Sequence, residues 1–547
     1  MSRPEHRTRT LAATALLTLT ALLTAACTQG GAGGDDGGGG NGGAEITVRI
    51  LAGSELEDTA ALLERAAEET GVRAEITWTG TLDASRLLAS GGEGGADAEA
   101  AGNYDAAWLA TNDYLRLHPG SADVIVSETP VATSPVALGV RREAMDRLGW
   151  DAGQVTWEQV HRAAADGELT FGMTDPVRSN SGYSALISVA SALSGAQSAL
   201  TAENIDDAAG RLEEFFTGQR LTSGSSGWLA EAFTGRTDVD ALINYESVLL
   251  SLNRDHDAGL SVVLPTDGVV SARYPLTTLA SASPEARDAL RTLAEWLREE
   301  EAQRALTEDT LRRPVIPEVT PAEAIPDEAR RELPYPGSLE IADGLLEAFD
   351  SQLRRPSRTV YVLDVSGSME GERLAGLKAA LRRLTGTETD GTAPGETFRE
   401  REEVTLMPFS TSVVFTETHT VDPADPDAAL AGIRETIDGL YTLADTNVYG
   451  SLMDAYDLLG EESLEGTFTS IVLMTDGESN YGPTAGDFTE FHNELPAARR
   501  TVPVFTVLFG DAAPEELEGI AAQTGGEVFD AVNGSLDDAF REIRGYQ

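Results

Sequence analysis

Residues 359–369, TVYVLDVSGSM, constrain this 547-residue chain more than any other stretch. The run is apolar almost without a break, so as a strand it has no face to give to water. That is the pattern of a central strand in a parallel sheet covered by helices on both sides. Further apolar strands follow at EVTLMPFS, SIVLMTDGES and VPVFTVLFG, separated by helical stretches, with GIAAQTGGEVFDAV after them. Pro356 sets the start of this unit, because it ends the preceding helix and points the chain into a strand.

The central strand runs into Asp364-x-Ser366-x-Ser368. Ser366 and Ser368 alternate with Val365 and Gly367, so both hydroxyls can turn toward one point, and Gly367 permits the tight bend. Oxygen ligands of this small size suit a hard cation such as Mg²⁺, which takes six oxygens at about 2.1 Å and keeps several waters. Two more oxygen residues follow in order: Thr446, ahead of the helical stretch NVYGSLMDAYDLL, and Asp476, at the end of the strand SIVLMTDGES. A nucleotide-binding-like sheet with coincidental Ser and Asp at its strand ends is the competing reading. The five residues together resemble the metal-ion-dependent adhesion site of von Willebrand factor A (VWA) domains. The resemblance implies a doubly wound, Rossmann-like sheet over residues 357–547 and a bound Mg²⁺ (or Mn²⁺ or Ca²⁺). It also implies a protein partner whose Asp or Glu carboxylate fills the open coordination position. A hydrolytic metal centre would need a general base and usually histidine ligands. The six histidines (His6, His118, His161, His256, His419 and His492) are scattered, with no HExxH, GxSxG or Walker-type spacing, so no enzyme is expected.

A chain of this length needs two or three cores. From Ala44 onward strands alternate with helices, as in EITVRILAG followed by LEDTAALLERAAEETG, and this pattern predicts parallel sheets covered on both faces. The opening strand and helix, ATSPVALGVRREAM and TDPVRSNSGYSAL, and more weakly INYES and VLPTDG, resemble bacterial extracytoplasmic solute-binding proteins. That family implies two lobes with ligand in the cleft between them, over residues 44–335. Open parallel sheets bind ligands beyond the carboxyl ends of their strands. The candidate cleft residues are therefore Ser54, Thr79, Thr111, Asn112, Asn180, Ser181, Tyr245 and Glu246. For Asn180 and Ser181 plain helix capping competes with anion binding. For Tyr245 a satisfied core tyrosine competes with a cleft role. Arg273 is a possible charged contact or a solvated surface residue.

At the N-terminus, Arg3, Arg7 and Arg9 precede a short apolar run, Leu11 to Ala26, before Cys27, the single cysteine. This describes an export signal, and the run is too short and Thr/Ala-rich to span a membrane comfortably. Leu-Thr-Ala-Ala-Cys resembles a bacterial lipobox with Thr24 where Leu is usual, which implies cleavage after residue 26 and a lipid anchor on Cys27 at the outer face of the cell membrane. An ordinary signal peptide with an incidental cysteine is the alternative. Residues 27–43 are a Gly-rich tether that cannot fold, and residues 336–356 are a connector helix between the two larger units. The excess of 90 acidic over 40 basic residues, a formal charge of −50, disfavours nucleic acid and anionic lipid as partners. The reading is a membrane-anchored extracytoplasmic binding protein acting through its VWA domain. The alternative is the solute receptor of a binding-protein-dependent importer, with the VWA domain as an accessory docking unit.

Overall fold

A five-stranded sheet forms the first lobe, in the order Val72–Thr79, Ile46–Gly53, Ala106–Trp108, Pro275–Leu279, Ile125–Pro130. The first three strands are parallel, with Ile46 opposite Val72 and Ile50 opposite Ala106, and the last two are antiparallel to their neighbours. The helix Ala60–Thr70 packs Leu62, Leu63, Ala66 and Ala67 against this sheet, and Gly71 ends it at φ 71°. Left-handed backbone of this kind is the commonest helix stop and suits glycine. The computed structural model describes residues 45–91, 100–327, 330–386, 397–460, 464, 466–508, 510, 514–532 and 536–546. The predicted signal, Cys27 and the tether lie outside them.

The second lobe is built on Ala132–Arg141, which pairs antiparallel with Ala241–Tyr245, itself parallel to Phe171–Met173. The chain passes between lobes at residues 130–132 and returns at 272–275, and the two passages lie side by side in both sheets. A third passage follows the helix Glu300–Thr310, where Arg313–Pro314 pairs with Ala132 and Thr133. Tyr274 sits in the return passage at φ 41°, a conformation that costs a non-glycine residue ~1–2 kcal/mol. Its backbone is held there from three sides: its N–H donates to Ala110 O, while its carbonyl accepts from Val131 N and from the Trp108 indole.

The third sheet has the order Glu417–Thr420, Glu402–Phe409, Ser357–Asp364, Phe468–Thr475, Val504–Leu508, Val528–Asp530. All pairs are parallel except the first, at the edge. The central strand divides its side chains as a fully covered strand must. Tyr361 and Leu363 pack beneath the helices Glu372–Arg383 and Pro426–Asp438 through Leu377, Leu381 and Ile433. Val360 and Val362 face Leu452, Tyr456 and Ile520 on the other side. The whole is an α/β chain: a two-lobed, periplasmic-binding-protein-like domain followed by a doubly wound VWA domain.

The helix Leu339–Ala348 and its π-helical continuation Phe349–Leu353 link the two. Ala342, Leu345, Leu346, Phe349 and Leu353 are buried in the same apolar core as the lobes. This segment also lies across the lobes. The Tyr114 hydroxyl of the first lobe donates to Asp343 Oδ1 at 2.7 Å, and the Tyr183 hydroxyl of the second donates to Ala342 O at 3.1 Å. Tyr335 meets Tyr183 edge to face at 5.5 Å, and Phe349 meets Phe216 at 5.1 Å.

Candidate functional site

At the carboxyl end of the central VWA strand the chain turns sharply, and Gly367 is where it must. A Cβ there would lie 3.2 Å from Leu443 O and 3.3 Å from Ala444 O, closer than side chains ordinarily tolerate. The contact is tight because the Gly367 N–H donates to Ala444 O at 2.9 Å and the Leu443 N–H donates to Val365 O at 2.6 Å. These bonds bring the loop carrying Thr446 against the turn carrying the two serines. That loop is fixed in turn by Asn480, whose Oδ1 accepts from the Thr446 N–H and whose own N–H donates to Thr446 O.

The polar atoms converge. Ser366 Oγ and Ser368 Oγ are 3.0 Å apart, and Ser368 Oγ donates to Asp476 Oδ1 at 2.7 Å. Asp364 accepts from the Ser366 N–H through Oδ1 (2.7 Å) and from Thr475 Oγ1 through Oδ2 (2.6 Å). Asp364, Ser366, Thr446 and Asp476 are buried, whereas Gly367 and Ser368 reach solvent. Burial pushes the Asp364 carboxyl above its ordinary value; hydrogen bonds from Thr475 and Ser366 oppose this, and the Asp476 charge adds to it. Two neighbouring carboxylates with little water are an arrangement that a cation stabilises. The donors are all oxygens and lie on short, rigid connections, which fits a hard divalent ion better than a soft one. Thr475 and Arg373 were not foreseen. Arg373 Nη1 donates to Asp476 Oδ2 at 2.5 Å and reaches Ser368 O at 3.4 Å. The signal for Thr475 was its place beside Asp476 on the same strand; for Arg373 it was a cation five residues past the second serine.

The residues proposed for the interlobe cleft divide. Asn180 Nδ2 donates to the Tyr245 hydroxyl at 2.9 Å, so these two meet. Both are buried, and Asn180 Oδ1 has no hydrogen-bond partner among the described residues. Ser181 belongs to a hydroxyl cluster with Thr174 (2.8 Å) and Ser226 (2.7 Å). Glu246 is fully buried and holds Arg313 through two hydrogen bonds of 2.7 and 2.8 Å. Thr111 Oγ1 accepts from the Asp113 N–H, while Asn112 donates to Thr277 Oγ1 at 2.7 Å and to Glu128. Ser54 and Thr79 are half-buried at strand ends. Arg273 is exposed and pairs with Asp113.

Three arginines that the sequence did not single out join the lobes. Arg312 is 1% exposed and donates to Asp58 at 2.7 and 2.8 Å and to Glu55 O, all in the first lobe, with Tyr274 stacked 4.9 Å from its guanidinium. The next residue, Arg313, pairs with Glu246 of the second lobe. Arg86 of the first lobe donates to Val177 O of the second at 3.1 Å. The lobes are closed on each other by the chain itself.

Residues 48–311 match the family model described as bacterial extracellular solute-binding protein, and residues 357–529 that of the von Willebrand factor type A domain. The chain is 28% identical over 199 residues to human inter-alpha-trypsin inhibitor heavy chain H4, covering 35% of this chain and 20% of that one. It is 25% identical over 186 residues to rat heavy chain H3, covering 32% and 19%. It thus spans about a fifth of the length of these relatives. Among solved structures it is similar to the periplasmic binding protein AfuA from Actinobacillus pleuropneumoniae, at 13% identity and TM-score 0.45, over 57% of this chain and 99% of that one. It is also similar to a von Willebrand factor type A structure from Catenulispora acidiphila, at 18% identity and TM-score 0.28, over 36% and 43%. The two family models thus give a solute-binding domain of the bacterial extracellular type and a C-terminal VWA domain. Such a domain implies an extracytoplasmic location, and families of both kinds are generally non-enzymatic.

Proposed function

We propose that this is a membrane-anchored extracytoplasmic binding protein whose VWA domain grips a protein partner through a divalent cation. Asp364, Ser366, Ser368, Thr446 and Asp476 would hold Mg²⁺, or Mn²⁺ or Ca²⁺ in its place, directly or through water. An Asp or Glu of the partner would complete the shell. In this reading residues 44–335 are the solute-binding-like domain, 336–356 the connector and 357–547 the VWA domain, with the lipid anchor on Cys27.

One observation carries the reading. The cation-site oxygens gather at the carboxyl edge of the VWA sheet, while the solute-binding domain is docked on the opposite, amino edge. There Arg399 pairs with Asp175 at 2.7 Å, and Trp228 packs on Tyr546 at 4.8 Å. The site is left facing outward, with Ser368 exposed. A pull-down from cell envelopes with and without EDTA tests it. Asp364→Ala should lose cation-dependent capture completely while the solute-binding-like domain stays folded. Capture that persists in EDTA would sink the cation bridge.

The receptor reading is favoured by a different feature. Asn180 Oδ1 and Glu55 Oε1 are buried between the lobes without hydrogen-bond partners among the described residues, and buried polar atoms of this kind call for a water or a ligand group. Calorimetry with a panel of small anions, metals, sugars and peptides tests it; silence across the panel counts against a receptor.

A further inference from the structure

Between the second lobe and the amino edge of the VWA sheet lies a cavity of about 650 Å³. Its volume falls in the ~300–1,000 Å³ range of small-molecule sites, which favour domain boundaries. Trp228, Phe468, Phe505 and Tyr546 form apolar walls, and Arg220 and Arg355 also line it. The rings are mutually braced, Trp228 against Tyr546 at 4.8 Å and Phe505 against Tyr546 at 4.9 Å.

Arg355 is the anomaly. It is 8% exposed, yet no carboxylate among the described residues pairs with it. Its Nη1 donates to Gln219 O at 2.5 Å and its guanidinium stacks 5.3 Å from the centre of Phe468. Its Nε–H is buried with no hydrogen-bond partner among the described residues. Burial first, and then the Arg220 guanidinium, push Arg355 down to about 10. An arginine serving only to tie the domains together would be expected to bring a carboxylate into a site so dry, because unpaired buried charge is costly. The other charges of the cavity are placed differently: Arg236 is paired to Asp238 at 2.7 Å, Arg220, Asp238 and Glu231 are exposed, and Glu527 is half-buried.

We infer that this cavity binds a small organic monoanion, a carboxylate on an aromatic body, with the carboxylate on Arg355 and the ring against Trp228 and Phe468. A single negative charge fits better than several, because Glu231, Asp238 and Glu527 also line the cavity and would repel a polyanion. The site is separate from both the interlobe cleft and the cation site.

The test uses the full chain and three probes: 3-phenylpropionate, the neutral 3-phenylpropan-1-ol and inorganic phosphate, titrated by calorimetry and tryptophan fluorescence. The acid should bind at least tenfold more tightly than the alcohol, and phosphate should not displace it. Arg355→Met should abolish the preference for the acid. Arg220→Gln, at an exposed position, should weaken the acid several-fold without affecting the alcohol. Should Arg355→Met fail to fold, the acid–alcohol comparison and Arg220→Gln still decide. Equal binding of acid and alcohol, no binding of either at millimolar concentration, displacement by phosphate, or indifference to Arg220→Gln would each overturn the proposal.

Discussion

Arg373 extends from the first turn of the helix Glu372–Arg383 to the same carboxylate, Asp476, that the proposed cation site would need. A guanidinium and a divalent ion cannot both be fully served by one carboxylate oxygen. The two compete, and since Arg373 is about a third exposed, the contest is between a modest ion pair and a multivalent one. Replacing Arg373 with Gln should therefore tighten Mn²⁺ binding by about 3- to 10-fold, the ratio expected for ~1 kcal/mol. Isothermal titration would measure it, and weaker binding in the variant would mean that Arg373 positions Asp476 instead of competing for it. The three serine and aspartate positions of the turn were legible in the sequence because spacing of two along one strand end is local information. Arg373 was not, because which way a side chain five residues on will swing depends on packing that no local pattern records.

At the scale of elements, the two lobes are held by consecutive residues, Arg312 and Arg313, which reach in opposite directions. The Arg313–Glu246 pair is the drier, with the Glu246 side chain fully buried. Breaking a buried pair costs more than the pair contributes, because the remaining charge has no water. Glu246→Gln should lower the urea-unfolding free energy of the chain by ~3–5 kcal/mol; a loss below ~1 kcal/mol would show that Arg313 finds Pro326 O sufficient. Glu246 was read from sequence as a candidate for the cleft, since it follows a strand end. Its partner lies 67 residues away, beyond what periodicity can report. The strands and helices themselves were legible, because the alternation of buried and exposed positions repeats within each element. The helix Leu339–Ala348 was also legible as a helix, but its seat across both lobes was not. An amphipathic stripe specifies that a face will be covered and leaves open by what.

For the whole molecule the decisive contact is Arg399 with Asp175, both buried, 224 residues apart, joining the VWA domain to the loop that opens the helix Asn180–Ser194. Burial alone would raise the Asp175 carboxyl; the charge and hydrogen bond of Arg399 override it and hold the group below its ordinary value. A carboxylate depressed in the folded state adds stability above its unfolded value of about 3.9. That contribution is lost as pH falls through the folded value. The junction should therefore hold at neutral pH and weaken only below about pH 4. In calorimetric scans the two domains should melt together at pH 7 and separate as the pH is lowered toward 3. Asp175→Asn should separate the transitions already at pH 7, and a single transition in that variant would place the coupling elsewhere, in the Trp228–Tyr546 contact or in Leu353.

The opposed edges of the VWA sheet carry a mechanical consequence. If a partner is held at the carboxyl edge, as proposed, then with a body docked at the amino edge the central strand, Ser357–Asp364, lies in line between them. Tension on the partner runs lengthwise down that strand, whose hydrogen bonds to Glu402–Phe409 and Phe468–Thr475 lie across the pull and must shear together. It then passes to the connector and the closed lobes. A ladder loaded in shear shares force among all its rungs, whereas one loaded at an end opens rung by rung.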